Sequence, residues 1–143
     1  MNKLFVAAAS FATLGLISGV FYREFTRASD FVGQTQLSTL HTHFLVLGMM
    51  FFLLLMALNA VFDLESHKLF TPFFYTYVVG LLWMTTMMVV KGIWQVQNPG
   101  GEYSAALSGV SGLSHITMAA AIFMLFRIVA KQSKKIPARS LKH

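Results

Sequence analysis

Apolar side chains come in four long runs separated by short polar stretches. The runs cover roughly Leu4–Tyr22, Gln36–Phe62, Leu69–Val90 and Ala105–Ile128. Each approaches or exceeds the ~20 mostly apolar residues that a helix needs to cross the hydrocarbon core of a bilayer. The second run is the plainest: from Phe31 to Phe62 there is no Lys, Arg, Asp or Glu. The polar stretches between runs are short, and short connections make successive helices antiparallel neighbours. The expected fold is therefore all-α, a four-helix up-down-up-down transmembrane bundle. Residues 1–130 would form the membrane domain and residues 131–143 a basic tail.

Local chemistry agrees with this division. Asp63-Leu64-Glu65-Ser66-His67-Lys68 separates runs two and three, and Pro72 falls near the start of run three, where a missing amide donor is tolerated. Gln95-Val96-Gln97-Asn98-Pro99-Gly100-Gly101-Glu102 is rich in turn formers and separates runs three and four. The first loop is expected to run from Arg23 to Thr35. Met1-Asn2-Lys3 ahead of an apolar run also resembles a signal peptide, but Ala7, Ala8, Ala9 and Ser10 come too early for cleavage and the run continues to Tyr22. A retained span is the better expectation.

Composition narrows the function classes. Hydrophobic residues make up 56% of the chain and charged ones 11%, which leaves no room for a separate soluble domain. No nucleic-acid motif, nucleophile triad, phosphate loop or membrane carboxylate pair is present. Cysteine is absent, so disulfides, thiolate haem ligation and iron–sulfur clusters are excluded. The positive charge is uneven. Lys3, Lys68, Arg127, Lys131, Lys134, Lys135, Arg139 and Lys142 fall on one side of the expected bundle, and Arg23, Arg27 and Lys91 on the other. The positive-inside rule then puts both termini in the cytoplasm, and the basic tail reads as a topology signal that also meets anionic lipid.

The candidate chemistry lies in Leu40-His41-Thr42-His43-Phe44, inside the uncharged run. An ionisable ring at membrane depth is a functional-site hypothesis by default, and neutral imidazole is the commonest metal ligand. Residues two apart on a helix point about 200° apart, so His41 and His43 cannot serve one metal from one helix. Either they serve two centres, or one binds and the other faces a neighbouring subunit. His115, in run four, falls thirteen residues after Glu102, and His43 falls thirteen after Asp30. If those acids mark similar depths, His43 and His115 are level enough to share a cofactor; the competing reading is a structural His bonded to a hydroxyl or carbonyl. Arg23 and Arg27, at the outer mouth, suit the two propionates of a haem, or else form a loop cluster with Glu24 and Asp30. Met49, Met50, Met84, Met87, Met88, Met118 and Met124 offer soft sulfur to copper(I), yet no methionine run adjoins a His pair in the chain, so they read as apolar filler. Gly109 and Gly112, with Ser108, Ser111 and Ser114, form a small-residue face suited to close packing or cofactor access. His67 and His143 carry no assignment.

Two resemblances bear on these residues. Gly19-Val20-Phe21-Tyr22-Arg23-Glu24-Phe25-Thr26, followed by Leu37-Ser38-Thr39-Leu40-His41-Thr42-His43, resembles a short bacterial membrane-protein family catalogued as a domain of unknown function, over most of the chain. More distantly, His41-Thr42-His43-Phe44 in the second of four spans is similar to one four-helix group of the haem–copper oxidase and nitric oxide reductase catalytic subunit. That subunit has three such groups, and a His-x-His pair in the second span of the third serves two different haems. The resemblance implies that His41 and His43 are haem ligands and that three copies would reproduce the twelve-span ring. Run three has no His, so nothing matches the histidine pair completing the oxidase copper site.

The resulting expectation is a b-type haem protein of the bacterial cytoplasmic membrane, a homotrimer with bis-His haem at its interfaces. It would transfer electrons to or from a redox partner. The alternatives are a non-haem copper or zinc carrier or sensor using His41, His43 or His115, and a cofactor-free structural or assembly protein. Whether the protein turns over a substrate stays open. The topology is testable by fusion. A reporter joined after His143 is expected to be active only if its enzyme works in the cytoplasm, and activity of a periplasm-dependent reporter at that point overturns the orientation.

Overall fold

The computed structural model describes residues 2–135, all helix and connecting loop with no strand among them. Arg139, Lys142 and His143, and with them most of the expected basic tail, lie outside the described residues. Four helices are long and apolar enough to cross a membrane: α1 (Asn2–Ala28), α2 (Leu37–Phe62), α3 (Phe70–Gln97) and α4 (Ala105–Gln132). All four match the expected runs, and each of α1, α3 and α4 extends beyond its expected C-terminal limit. Polar residues at those ends, such as Arg23, Glu24 and Arg27, do not stop a helix by themselves, because hydropathy locates the apolar run and not the last hydrogen-bonded turn. The first loop therefore begins at Ser29 and not at Arg23.

Contacts at the two ends show that the helices alternate in direction. At the end carrying the N-terminus, Lys3 Nζ lies 3.9 Å from Glu65 Oε1 and 4.8 Å from the Phe70 ring centroid. There Gln132 Nε2 donates to the Asp63 carbonyl at 2.5 Å and to Ser66 Oγ at 2.6 Å. Asp63 takes the left-handed conformation that closes α2 (φ 49°), and Asn59 holds the following turn by accepting the Glu65 amide at 2.8 Å. At the other end, Thr35 Oγ1 donates to the Gly92 carbonyl at 2.9 Å and the Gln36 amide donates to Gln95 Oε1 at 2.8 Å. We call these the terminal end and the loop end.

The buried positions give the packing order. On α1, Leu4, Ala8, Phe11, Gly15 and Ser18 form one seam at alternating three- and four-residue spacing, and it packs on α2. Helix α3 is the most enclosed, buried from Phe70 to Val96. Helix α4 packs on α3 through Ser114, Ala121, Leu125, Ile128 and Gln132, and none of its residues before Ser114 is buried. The first turns of α4 therefore stand off from the bundle. An aromatic stack fills the core between α1, α2 and α3: Phe11 lies 5.8 Å from Phe52, and Tyr77 lies 4.1 Å from Phe51.

One irregularity sits in α2. Phe44–Met50 winds as a π-helix directly after His43. The wide turn breaks the regular i→i−4 ladder, and Tyr77 OH donates to the Leu47 carbonyl at 2.8 Å within it. Gly48, at the centre of this stretch, permits the contact with α1, since a Cβ there would collide with Cβ and Cγ of Phe11. Gly48→Ala is expected to destabilise the fold by about 1–3 kcal/mol through overpacking. Gly112→Ala, whose added Cβ meets nothing within 4 Å, should be near neutral. The unfolding midpoint of each variant in detergent micelles checks the difference; equal midpoints would contradict the packing.

Candidate functional site

Three helix faces converge on one groove towards the loop end. The start of α2 contributes Gln36, its N-cap residue, and His43, seven residues apart and therefore on one face. Helix α3 contributes Met84, Met87, Met88 and Lys91, a single face at i, i+3, i+4 and i+7. Helix α4 contributes Ser111 and His115, one turn apart. The cavity measures about 280 Å³. Its existence follows from the stand-off of α4, whose residues Ala105 to Val110 are exposed. Gly112, on the same α4 face as Ser108 and His115, has open space beside it, so the groove is not walled along that side.

The two imidazoles of the groove are held in the same way. His43 Nδ1 lies 2.8 Å from the Thr39 carbonyl oxygen, and His115 Nδ1 lies 3.4 Å from the Ser111 carbonyl oxygen, each four residues back on its own helix. A carbonyl oxygen only accepts, so Nδ1 carries the proton in each ring and donates it. The lone pair then resides on Nε2. This is the second-partner arrangement by which ligating histidines are oriented and their tautomer fixed.

His41 is turned elsewhere. A Cβ built on Gly19 of α1 would lie 3.8 Å from the His41 Cβ, so the ring sits in the seam between α1 and α2. Its Nδ1 is buried and has no hydrogen-bond partner, while Nε2 is 3.4 Å from Thr42 Oγ1. The divergence of His41 and His43 expected from their spacing is therefore present, and His43 and His115 line the same groove.

Arg23 and Arg27 do not join the groove. Both are exposed on the last turns of α1, which packs on the His41 side of α2, and Arg23 Nε pairs with neighbouring Glu24 Oε1 at 3.6 Å. The cation at the groove is Lys91, half-buried, with its Nζ 5.5 Å from the centroid of the Tyr103 ring. No Asp or Glu lines the groove. Among the described residues, no three His, Cys, Asp or Glu side chains come together as a metal-binding group.

A family model described as a protein of unknown function (DUF2871) matches residues 1–132. The chain belongs to the DUF2871 family. No curated protein and no solved structure matches it. These comparisons show no resemblance to a haem–copper oxidase.

The groove of this DUF2871 protein is lined by residues that sequence reasoning passed over. Met84, Met87 and Met88 read as filler because no His adjoins them in the chain, yet their spacing, continued by Lys91, marks one face of α3. That face is the one turned to His43 and His115. Gln36 and Ser111 carried no signal beyond their helical phase to the two histidines.

His67 stands at the terminal end and takes no part in the groove. Its Nδ1 accepts the Leu69 amide at 3.1 Å, a bond that only the ring unprotonated at Nδ1 can accept. Burial first, then the charges of Lys131, Lys135 and Lys68, hold its pKa below the ordinary 6.5. The sign follows: the fold favours the neutral ring, so the contribution is complete above the unfolded value of about 6.5 and is lost as pH falls toward the lowered folded value. Stability is expected to decline over that interval, and His67→Gln should flatten the decline. Unfolding midpoints of the two proteins across about pH 7 to pH 5 check this; parallel curves would remove His67 from the account.

Proposed function

We propose that this chain is a multi-pass protein of the bacterial cytoplasmic membrane that holds a b-type haem in the groove between α2, α3 and α4, where His43 and His115 would be the residues that hold its iron. The observation that carries the reading is the shared anchoring of the two rings. Each gives its Nδ1 proton to a helix carbonyl and keeps its Nε2 lone pair for a metal. The orientation draws support from charge: Lys3, Lys68, Arg127, Lys131, Lys134 and Lys135 gather at the terminal end, against Arg23, Arg27 and Lys91 at the loop end.

The residues fit this group better than a bare divalent ion. A zinc or copper(II) ion would bring two positive charges to a groove with no carboxylate and with Lys91 already present. Haem brings carboxylates of its own. The cavity of about 280 Å³ is small, but its unwalled side along Ser108 and Gly112 lets a flat ring extend past it. Haem, when bound, supplies one-electron redox chemistry. The chain's part is to fix both imidazoles, surround them with the thioethers of Met84, Met87 and Met88, and exclude water from that side. With both imidazoles holding the iron, the group would serve electron transfer.

A second reading keeps the ligand pair implied by the oxidase resemblance. His41 of one copy and His43 of the next would share a haem in a homotrimer, and the observation that favours it is the His41 Nε2, which lies beside the exposed Thr42 hydroxyl at 3.4 Å. One set of variants separates the two. With the ligands in one protomer, His43→Ala and His115→Ala each lose most of the haem measured by Soret absorbance and pyridine haemochrome, while His41→Ala and His67→Ala keep it. With an interface pair, His41→Ala and His43→Ala lose it and His115→Ala does not. Full haem in both His43→Ala and His115→Ala, or a wild-type protein that takes up no haem, overturns the first reading.

A further inference from the structure

The groove has a charged end. Lys91 closes the face formed by Met84, Met87 and Met88, one turn beyond Met87. It is half-buried, and among the described residues it forms no ion pair. The ring of Tyr103 stands beside its ammonium at 5.5 Å, and the Tyr103 hydroxyl is buried without a hydrogen-bond partner. Trp94 packs edge-on against that ring, 5.4 Å between centroids, and so holds it in place. A half-buried cation is costly unless something accepts from it. Lys91 lines the groove, whereas Tyr103 stands behind it and acts on the groove only through the ammonium. Gln36, on α2, lines the same cavity. The electrostatic sense of the groove is therefore directional: neutral lone pairs and thioethers deeper in, donors and a positive charge towards the loop end.

We infer that Lys91, steadied by the Tyr103 ring beside it, forms an anchor for the carboxylate groups of an amphiphilic ligand whose metal or apolar body lies between His43 and His115. This rests on the haem reading above, for which the carboxylates are the two propionates. It replaces Arg23 and Arg27 in that role, since neither arginine reaches the groove. An ammonium to a carboxylate is a charge-assisted bond, stronger than a neutral one and much stronger away from bulk water. The anchor also fixes which way round the ligand enters, propionates towards the loop end.

The test compares haem b with its iron protoporphyrin dimethyl ester, which has the same ring and iron but no carboxylate charge. Full-length apoprotein in micelles is titrated with each and followed by the Soret band. The wild type is expected to bind the diacid about ten- to hundredfold more tightly than the ester. Lys91→Gln should bind the two about equally, Lys91→Arg should keep the preference, and Tyr103→Leu, which removes the ring beside the ammonium, should lose part of it. If Lys91→Gln does not accumulate, Lys91→Met takes its place. A wild-type preference that survives unchanged in Lys91→Gln, or in Lys91→Met where that variant stands in, overturns the anchor and leaves the haem reading intact. No Soret band with either compound in the wild type overturns both.

Discussion

An imidazole on a helix surrounded by apolar side chains must place its N–H somewhere, and His43 places it on the carbonyl of Thr39. The rest of the groove depends on that bond. It settles which ring nitrogen has a free lone pair, and it holds the ring against the helix it came from. His115 repeats the solution on α4 with a longer contact to Ser111. In water such a bond would compete with solvent and mean little. Among Met84, Met87 and Met88 there is little else to accept the proton, so the bond fixes the tautomer.

What makes room for the groove is a difference between the halves of α4. Its second half is committed to α3 by Ala121, Leu125 and Ile128, and its last residue is tied down by Gln132, which reaches the Asp63 carbonyl and Ser66. Its first half carries serines, glycines and alanines that bury nothing before Ser114. A helix pinned at one end and loosely packed at the other leaves a wedge of space. His115 stands one residue beyond Ser114, where packing gives way to that space.

Much of this was legible in the chain and some was not. The four helices were readable because each apolar run is long and nearly free of charge, as between Phe31 and Phe62. The divergence of His41 and His43 followed from helical rotation alone. The pairing of His43 with His115 was open to a depth argument but needed the rotation of α4 about its own axis, which depends on how Ser114, Ala121 and Leu125 seat on α3. Arg23 and Arg27 stand away from this groove because α1 continues as helix through both of them and lies against the other side of α2. Met84, Met87, Met88 and Lys91 show a limit of residue type: methionine is filler or soft ligand according to what faces it, and that is a property of the neighbouring helix.

The π-helical stretch has a consequence for how this family can vary. Phe44–Met50 accommodates a residue that a regular α-helix would not fit over the same rise, and it lies between His43 above and the Phe51, Phe52 and Leu55 core below. A regular α-helix turns by about 100° per residue, and the wider i→i+5 turn takes less per residue, which is how it absorbs the extra one. Losing one residue while the stretch rewinds as regular α-helix would scarcely shorten α2 and would leave the histidine half facing much the same way over the aromatic half. The wide turn is slack in the helix. One residue can be gained or lost within it without re-aiming the His-x-His sequence, whereas the same change in the regular helix on either side would swing the imidazoles to a different neighbour.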